Sequence, residues 1–380
     1  MKNIFKLLAF LPLLTACDDL FEPALENNRD LEAMYKEPSY AQGILANAYI
    51  ILPYETSPTS DLATDDAVTN EISSNYLRMA TGSWTANNNP VSQWQNRFNA
   101  IQYINLFLEN VDKVEWAKDE RISTMFLDRL KGEAYGLRAL HMYYLLRAHG
   151  GKIADGTLMG VPIILKSEGP DADFNHARAT YSDCVKQIME DADKAIELLP
   201  LDYKKFADSE IPEKYKNIGV TNASDYRRVC GEEYRGLMSG RIALAVRAQT
   251  ALLAASPAFQ SGSGMTWEQA ADYAAEIIEK ANGGGGCGLD ADGLEWYTLA
   301  DKDYGTGGSP AEVIWRSSTD DNNTLETANF PPSLYGNGRV NPTQNLVDAF
   351  PMANGYPISE TSGNSVSYTH LRAHETEADL

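Results

Sequence analysis

The spacing of apolar residues predicts a chain built mainly of amphipathic helices. Over residues 127–149 the apolar positions recur every three to four residues and fall on two separate stripes. A helix with two apolar stripes is packed on two sides, so we expect this one inside a helical array. Arg138 falls between the stripes. Because a buried guanidinium needs a partner, we expect a carboxylate or a carbonyl group beside it.

The same spacing predicts further helices on both sides of this central one. Their expected bounds are 40–52 with Ser39 as N-cap, 94–111, 180–199, 238–256 and 266–282. Small residues on consecutive helices favour close antiparallel pairs. The helix starts near 127, 180, 238 and 266 are unevenly spaced, so periodicity alone does not establish a repeat protein. Residues 201–236 are polar and turn-rich, without periodicity.

Helix 94–111 carries two specific expectations. Trp94 and Phe98 begin its apolar face, which continues through Ile101, Ile104, Leu108 and Val111. Asn105 lies on the same side of the helix, and a buried amide needs hydrogen-bond partners. We therefore expect Trp94 to be buried and Asn105 to be bonded to neighbouring polar groups.

Loops rich in glycine, asparagine and proline predict a cap over the helices. A strand is expected at 312–316, and turn-rich loops at 61–67, 76–90 and 329–341. Trp84 precedes the run Asn87, Asn88 and Asn89, and Tyr335 lies in a second glycine- and asparagine-rich loop. An aromatic face beside amide groups suits a sugar, whose C–H faces stack while its hydroxyl groups pair with amides. The alternative for Trp84 is a ring that plugs the adjacent core.

The first residues indicate secretion and lipid attachment. Lys2 and Lys6 flank the start of an apolar run that is too short to span a bilayer, so residues 1–16 are interpreted as a signal peptide. The run ends in Leu14-Thr-Ala-Cys17, which is typical of a bacterial lipobox with Cys17 as the acylated residue. The alternative is an ordinary secretory signal. Residues 17–38 are expected to form an irregular membrane tether.

Charge and cysteine content exclude several classes of function. The chain has 32 basic and 53 acidic residues and a net charge of −21, so binding to nucleic acid is not expected. Cys184, Cys230 and Cys287 are widely spaced and form no metal-binding or redox pair. No motif nominates a metal site, a cofactor, a serine nucleophile or two catalytic carboxylates. We expect a protein that is not an enzyme, with His141 packed in the core.

Several segments in order resemble one protein family. Gly132-Glu-Ala-Tyr-Gly-Leu-Arg-Ala139, Tyr143-Tyr-Leu-Leu-Arg147, Gly150-Gly151 and Gly160-Val-Pro-Ile163 are similar to the signature of SusD-like (RagB/SusD) outer-membrane lipoproteins. The segment Pro342-Thr-Gln-Asn-Leu-Val-Asp-Ala-Phe350 also resembles that family. The resemblance implies a tetratricopeptide-like scaffold of helical pairs with a loop-rich cap that contains short strands.

The resemblance also implies a function. SusD-like proteins capture glycans at the surface of Gram-negative bacteria and form a lid on a SusC-type, TonB-dependent transporter. We therefore expect a lipid-anchored protein of the cell outer membrane, facing the exterior, that delivers an oligosaccharide or polysaccharide to such a transporter. The alternatives are capture of peptides or glycopeptides, as by a RagB-type relative, a helical-repeat scaffold without a small ligand, and a hydrolase.

Because the family's binding loops vary, the candidate site rests on local chemistry. The candidate ligand-binding residues are Trp84, Tyr76, Asn87, Asn88, Asn89, Tyr335 and Trp296, with Tyr304 a weaker one. The family domain is expected over 39–364 and to be incomplete at its C-terminus. Residues 365–380 have no counterpart in the family and are interpreted as a non-native tail.

Overall fold

The structure is a computed structural model that describes residues 31–53, 60–85, 87–282, 312–317 and 322–351. Its helices are α1 (Leu31–Lys36), α2 (Pro38–Ile50), α3 (Asn75–Ala80), α4 (Trp94–Asn110), α5 (Glu120–His149), α6 (Tyr181–Leu198), α7 (Glu213–Lys216), α8 (Ala223–Cys230), α9 (Gly240–Ala255), α10 (Gln260–Ser263), α11 (Trp267–Asn282), α12 (Thr324–Asn329) and α13 (Gln344–Ala349). Its strands are β1 (Ala67–Thr69), β2 (Gly151–Lys152), β3 (Leu158–Met159) and β4 (Val340–Pro342).

The long helices pack side by side as an array. Helix α2 packs on α4, α4 on α5, α5 on α6, α6 on α9, and α9 on α11. Helix α5 also contacts α2, α8 and α9, so it is the most enclosed element of the array. The mainly helical fold class and the central place of this helix are confirmed.

Two glycines allow the helices around α5 to approach closely. A Cβ atom on Gly132 would lie 2.6 Å from Leu199, and one on Gly136 would lie 2.6 Å from Met238. Both distances are shorter than real Cβ contacts. Any larger residue at these positions would require the side chains of Leu199 or Met238 to shift.

The expected partner of Arg138 is present. Its Nε and Nη2 atoms donate to the two carboxylate oxygens of Asp191 at 2.7 and 2.8 Å, and its Nη1 donates to Asn105 at 2.9 Å. Asn105 in turn donates to the carbonyl oxygens of Ile164 and Lys166. All three side chains are buried, so this network joins α4, α5 and α6 and satisfies their polar groups.

Several boundary and burial expectations are wrong in detail. Helix α2 begins at Pro38 with Glu37 as N-cap, two residues earlier than expected. Trp94 is 43% exposed, because it stands at the first position of α4, where its ring contacts Phe98 and His149 at the edge of the array. Residues 312–317 form no strand. Trp315 nevertheless packs against the core and donates to the Gly236 carbonyl group.

The turn-rich segment 201–236 is better ordered than its sequence suggested. Tyr215 in α7 and Tyr226 in α8 pack with Ile122 and Met125 of α5 in a second, smaller core. The apolar residues of this segment are too few and too briefly periodic to predict a helix. They are buried because α5 extends past the main array.

The N-terminal segment is partly helical, and two of the cysteines are buried. An irregular tether was expected over 17–38, but residues 31–36 are helical, and Tyr35 donates to Asn110 of α4 at 2.8 Å. Cys184 and Cys230 are buried free thiols. In the described part of the chain, no helix combines the length and the apolar character of a bilayer span. Cys17, Cys287 and the tail 365–380 lie outside the described residues.

Candidate functional site

Two segments far apart in the sequence form a cap beside the helical array. We define the cap as residues 60–85, 87–92 and 322–351. Strand β1 pairs antiparallel with β4, with Ala67 opposite Pro342 and Thr69 opposite Val340. The backbone N–H of Thr343 donates to the Asp66 carbonyl oxygen at 2.8 Å. The pairing brings the loop regions that carry Trp84 and Tyr335 into one unit.

Trp84 lies on a tight turn that follows α3. Backbone hydrogen bonds between Thr85 and Asn88 close the turn. The side chain of Trp84 is 49% exposed and is not among the residues packed on the buried clusters. The reading in which Trp84 plugs the core is therefore not supported, and an exposed face of its ring is available.

The three asparagines after Trp84 differ in their roles. Asn88 Oδ1 accepts a hydrogen bond from Arg78 Nη1 at 3.2 Å, and Asn89 Oδ1 accepts one from the backbone N–H of Val91 at 3.0 Å. Asn87 is exposed, and its side chain makes no hydrogen bond within the described residues. Two of the amides therefore brace the turn with their oxygen atoms, and Asn87 is the one free to meet a ligand with both polar atoms.

Tyr335 is held outward on a second turn. It is 96% exposed, and its backbone is left-handed, with φ of 64°. This conformation costs a non-glycine residue free energy, and it persists only where the surrounding structure fixes it. Backbone hydrogen bonds of Gly336 to Pro331, of Gly338 to Phe330 and of Arg339 to Ala328 supply that constraint. The sequence placed Tyr335 in a loop, but nothing in its composition predicted the left-handed conformation.

The remaining predicted site residues are less well placed. Tyr76 is half-buried on α3. No ring contact joins Trp84 to Tyr335, so the cap presents two separate aromatic faces. Trp296 and Tyr304 lie outside the described residues. Of the predicted set, the structure therefore brings Tyr76, Trp84, Asn87, Asn88, Asn89 and Tyr335 into the cap.

A residue that the sequence analysis did not single out joins the end of β1 to the Tyr335 turn. Asn70, directly after β1, donates from Nδ2 to the carbonyl oxygen of Asn337 at 3.0 Å. Its Oδ1 accepts from Arg339 Nη1 at 3.3 Å. An asparagine at the end of a short strand carries no sequence signal for this role, because its partners lie 267 and 269 positions away.

A cavity of about 1010 Å³ lies between α2, α5, α9 and residues 312–317. Its wall is mostly apolar, with the aromatic side chains of Tyr49, Tyr144 and Trp315 and the exposed amide of Gln249. The hydroxyl group of Tyr49 is already engaged, since it donates to Glu133 at 2.7 Å and accepts from the Met238 N–H. Among the described lining residues, Glu312 is the only carboxylate.

The buried titratable groups near the cavity serve the framework. Burial raises the pKa of Glu133, although Arg129 at 3.4 Å and the Tyr49 hydroxyl group act in the opposite direction. Burial, together with the charge of Arg97, lowers the pKa of His141 to about 3. His141 is fully buried and bonds to Arg97 and to the Ala48 carbonyl group, as expected for a packed residue. No cluster of potential metal ligands occurs among the described residues.

Comparisons with solved structures show which fold this is. A SusD-like protein from Bacteroides fragilis NCTC 9343 matches with a TM-score of 0.61 at 18% identity, over 90% of this chain and 58% of that one. A SusD superfamily protein from Bacteroides vulgatus ATCC 8482 gives 0.56 at 19% identity, over 82% and 61%. A SusD-like carbohydrate binding protein from Bacteroides fragilis NCTC 9343 gives 0.55 at 18% identity, over 87% and 56%.

These relatives share the fold, and the chain spans only 56 to 61% of their length. Among curated proteins, no match to the chain is found. A family model does match: SusD-like, described as "Starch-binding associating with outer membrane", over residues 25–214, which is half of the chain. Because that model matches half of the chain, including α2 to α6 of the array, the chain belongs to the SusD-like family.

Proposed function

We propose that this protein captures an oligosaccharide at the cell surface through its cap and does not alter it. The observation that carries the proposal is the pair of outward aromatic side chains on hydrogen-bonded turns, Trp84 at 49% and Tyr335 at 96% exposure. Neither ring belongs to a buried hydrophobic cluster of the described residues. The two rings suit a ligand that offers apolar C–H faces together with hydroxyl groups.

The chemistry of the cap favours an uncharged ligand. Its described residues carry six carboxylates, on Asp61, Asp65, Asp66, Glu71, Glu326 and Asp348, and two guanidinium groups, on Arg78 and Arg339. Each arginine donates to an asparagine of the cap. A negative surface repels anionic ligands and leaves neutral ones unaffected. A neutral glycan therefore fits this surface better than a sulfated or uronate-rich one.

Binding without catalysis also fits the described geometry. Hydrolysis of a glycosidic bond requires two carboxyl groups that face each other across the bond at a defined separation. Among the described residues that line the cavity, Glu312 is the only carboxylate, so this wall offers no such pair. The sugar would be held by stacking and by amide groups and then released unchanged.

The rest of the proposal concerns location and delivery. The family model is described as associating with the outer membrane. In this proposal Cys17 carries the lipid anchor, the protein faces the exterior, and a SusC-type, TonB-dependent transporter receives the captured glycan. The signal-like residues 1–16 and the Leu14-Thr-Ala-Cys17 run support the anchor.

The test is a glycan array on the mature protein, followed by calorimetry with the best binder and a Trp84→Ala variant. Stacking adds about 0.5–1.5 kcal/mol to the area that the ring buries, and 1.4 kcal/mol is a factor of ten. We expect affinity to fall about tenfold or more. The melting temperature should stay unchanged, because the ring is not part of the core.

Trp267→Ala is the matched control, since Trp267 is 50% exposed on α11, outside the cap. It should keep full affinity. Equal affinity of the Trp84→Ala variant and the wild type would remove Trp84 from the site. Binding of peptides in place of sugars on a mixed array would overturn the choice of ligand.

A further inference from the structure

Two turns that display aromatic rings come from parts of the chain about 250 positions apart, yet they share one structural element, β1. The Trp84 turn is reached from β1 through α3. The Tyr335 turn precedes β4, which pairs with β1. The position of one ring relative to the other therefore depends on how firmly residues 336–339 are attached to β1.

Asn70 makes that attachment through both ends of its side-chain amide. Its Nδ2 donates to the Asn337 carbonyl oxygen at 3.0 Å, and its Oδ1 accepts from Arg339 Nη1 at 3.3 Å. Asn337 and Arg339 are two and four residues after Tyr335. Their own N–H groups donate to the carbonyl oxygens of Thr327 and Ala328. Asn70 is therefore linked through them to both sides of the turn.

We propose that Asn70 is the positioning residue that sets the Tyr335 turn relative to the Trp84 turn, so that the two rings act on one ligand. This inference rests on the proposed function for its ligand-binding part. Its structural part, the attachment of the turn, stands without any ligand. Asn70 itself need not touch the sugar.

The first measurement uses the free protein. In Asn70→Ala, hydrogen exchange of the amides of residues 336–339 should become faster, because the turn loses its two bonds to β1. The exchange of α5 should stay the same. Asn75→Ala is the matched control, since Asn75 is exposed at the start of α3 and its side chain makes no hydrogen bond within the described residues. Exchange at 336–339 that is the same in both variants and the wild type would overturn the proposal.

The second measurement uses maltoheptaose and the best array binder as probes. A pair of exposed hydrogen bonds contributes about 1 kcal/mol, so Asn70→Ala should weaken affinity about fivefold, while Asn75→Ala retains it. In the wild type, the losses caused by Trp84→Ala and Tyr335→Ala should be non-additive. In the Asn70→Ala background they should become additive, which a general loss of stability would not produce.

The outcomes separate the two proposals. If no glycan binds and exchange at 336–339 still rises in Asn70→Ala, the proposed function fails and the attachment stands. If a glycan binds, and Asn70→Ala changes neither its affinity nor the non-additivity of the two aromatic variants, Asn70 is not a positioning residue. If either Trp84→Ala or Tyr335→Ala leaves the affinity of the otherwise wild-type protein unchanged, the two rings do not share one ligand.

Discussion

At the scale of single residues, the protein separates polar groups that hold the framework from aromatic groups that face water. Arg138, Asn105 and His141 are buried and bonded within the array, whereas Trp84 and Tyr335 are exposed on fixed turns. Of these buried groups, His141 makes the stability of the protein depend on pH. His141 Nδ1 accepts from Arg97, so its proton is on Nε2, which donates to the Ala48 carbonyl oxygen.

We predict that His141 makes the protein less stable in acid. Its pKa is about 3 in the folded state against 6.5 for a free histidine, so the unfolded chain binds one more proton between these pH values. The free energy of unfolding should therefore fall below about pH 6.5, by up to about 1.4 kcal/mol per pH unit, and level off near pH 3. His141→Gln should lose this contribution. Urea unfolding at several pH values checks it, and parallel curves for the two proteins would contradict it.

Residue-scale inference from the sequence succeeded where a residue type has only one way to be satisfied. A buried guanidinium needs a carboxylate and a buried amide needs partners, so Arg138 and Asn105 were predicted correctly. Such inference failed where segments distant in the sequence decide whether a side chain is buried or bonded. Trp94 was expected to be buried, but at the first turn of a helix at the edge of the array its ring is only partly covered, by Phe98 and His149. The role of Asn70 depends on partners that no local pattern indicates.

At the scale of elements, the helices are held at distances that glycines in α5 permit. The helix starts near 180 and 266 were predicted from sequence, because a helix start depends on local interactions such as the caps made by Thr180 and Thr266. The order in which helices pack is not local, so it came only with the structure. The short helices of 201–236 were missed for the same reason.

Two glycine substitutions should have opposite effects. Gly136→Ala places a methyl group 2.6 Å from Met238 at the α5–α9 crossing, and overpacking of this kind costs about 1–3 kcal/mol. Gly43 lies within α2, and apart from its own stretch of helix no atom of the described residues lies within 4 Å of the added methyl group. There alanine should stabilise by about 0.5–1 kcal/mol, because it lowers the backbone entropy that folding must overcome.

Chemical unfolding of both variants beside the wild type measures the two effects. A stabilised Gly136→Ala would show that Met238 moves aside without cost, and the close approach at α5 would then not constrain the array.

At the scale of the whole molecule, a helical array supports a cap, and the N-terminal residues suggest how the assembly is held at a membrane. The fold class could be predicted because a long ordered motif around α5 resembles one family, and the structural matches confirm it. The ligand could not, because the cap loops proposed to bind it carry no motif that specifies one.

We predict that Cys17 is the acylated N-terminus of the mature protein. Mass spectrometry of membrane-extracted protein should show a modified Cys17, and Cys17→Ala should move the protein from the membrane fraction to the soluble fraction. Loss of a stable two-chain anchor leaves no comparable membrane affinity. An unmodified N-terminus at another residue would contradict the anchor.

The pairing of β1 with β4 also orders events during synthesis. Residues 67–69 leave the ribosome long before residues 340–342. Asn70 can bond to Asn337, 267 positions later, only after that residue has been made. Contacts between neighbouring helices form over far shorter spans, and closing a long loop is entropically more costly than closing a short one. The array should therefore fold first and the cap last. The two strands of the cap pair only after nearly all of the described chain has been made.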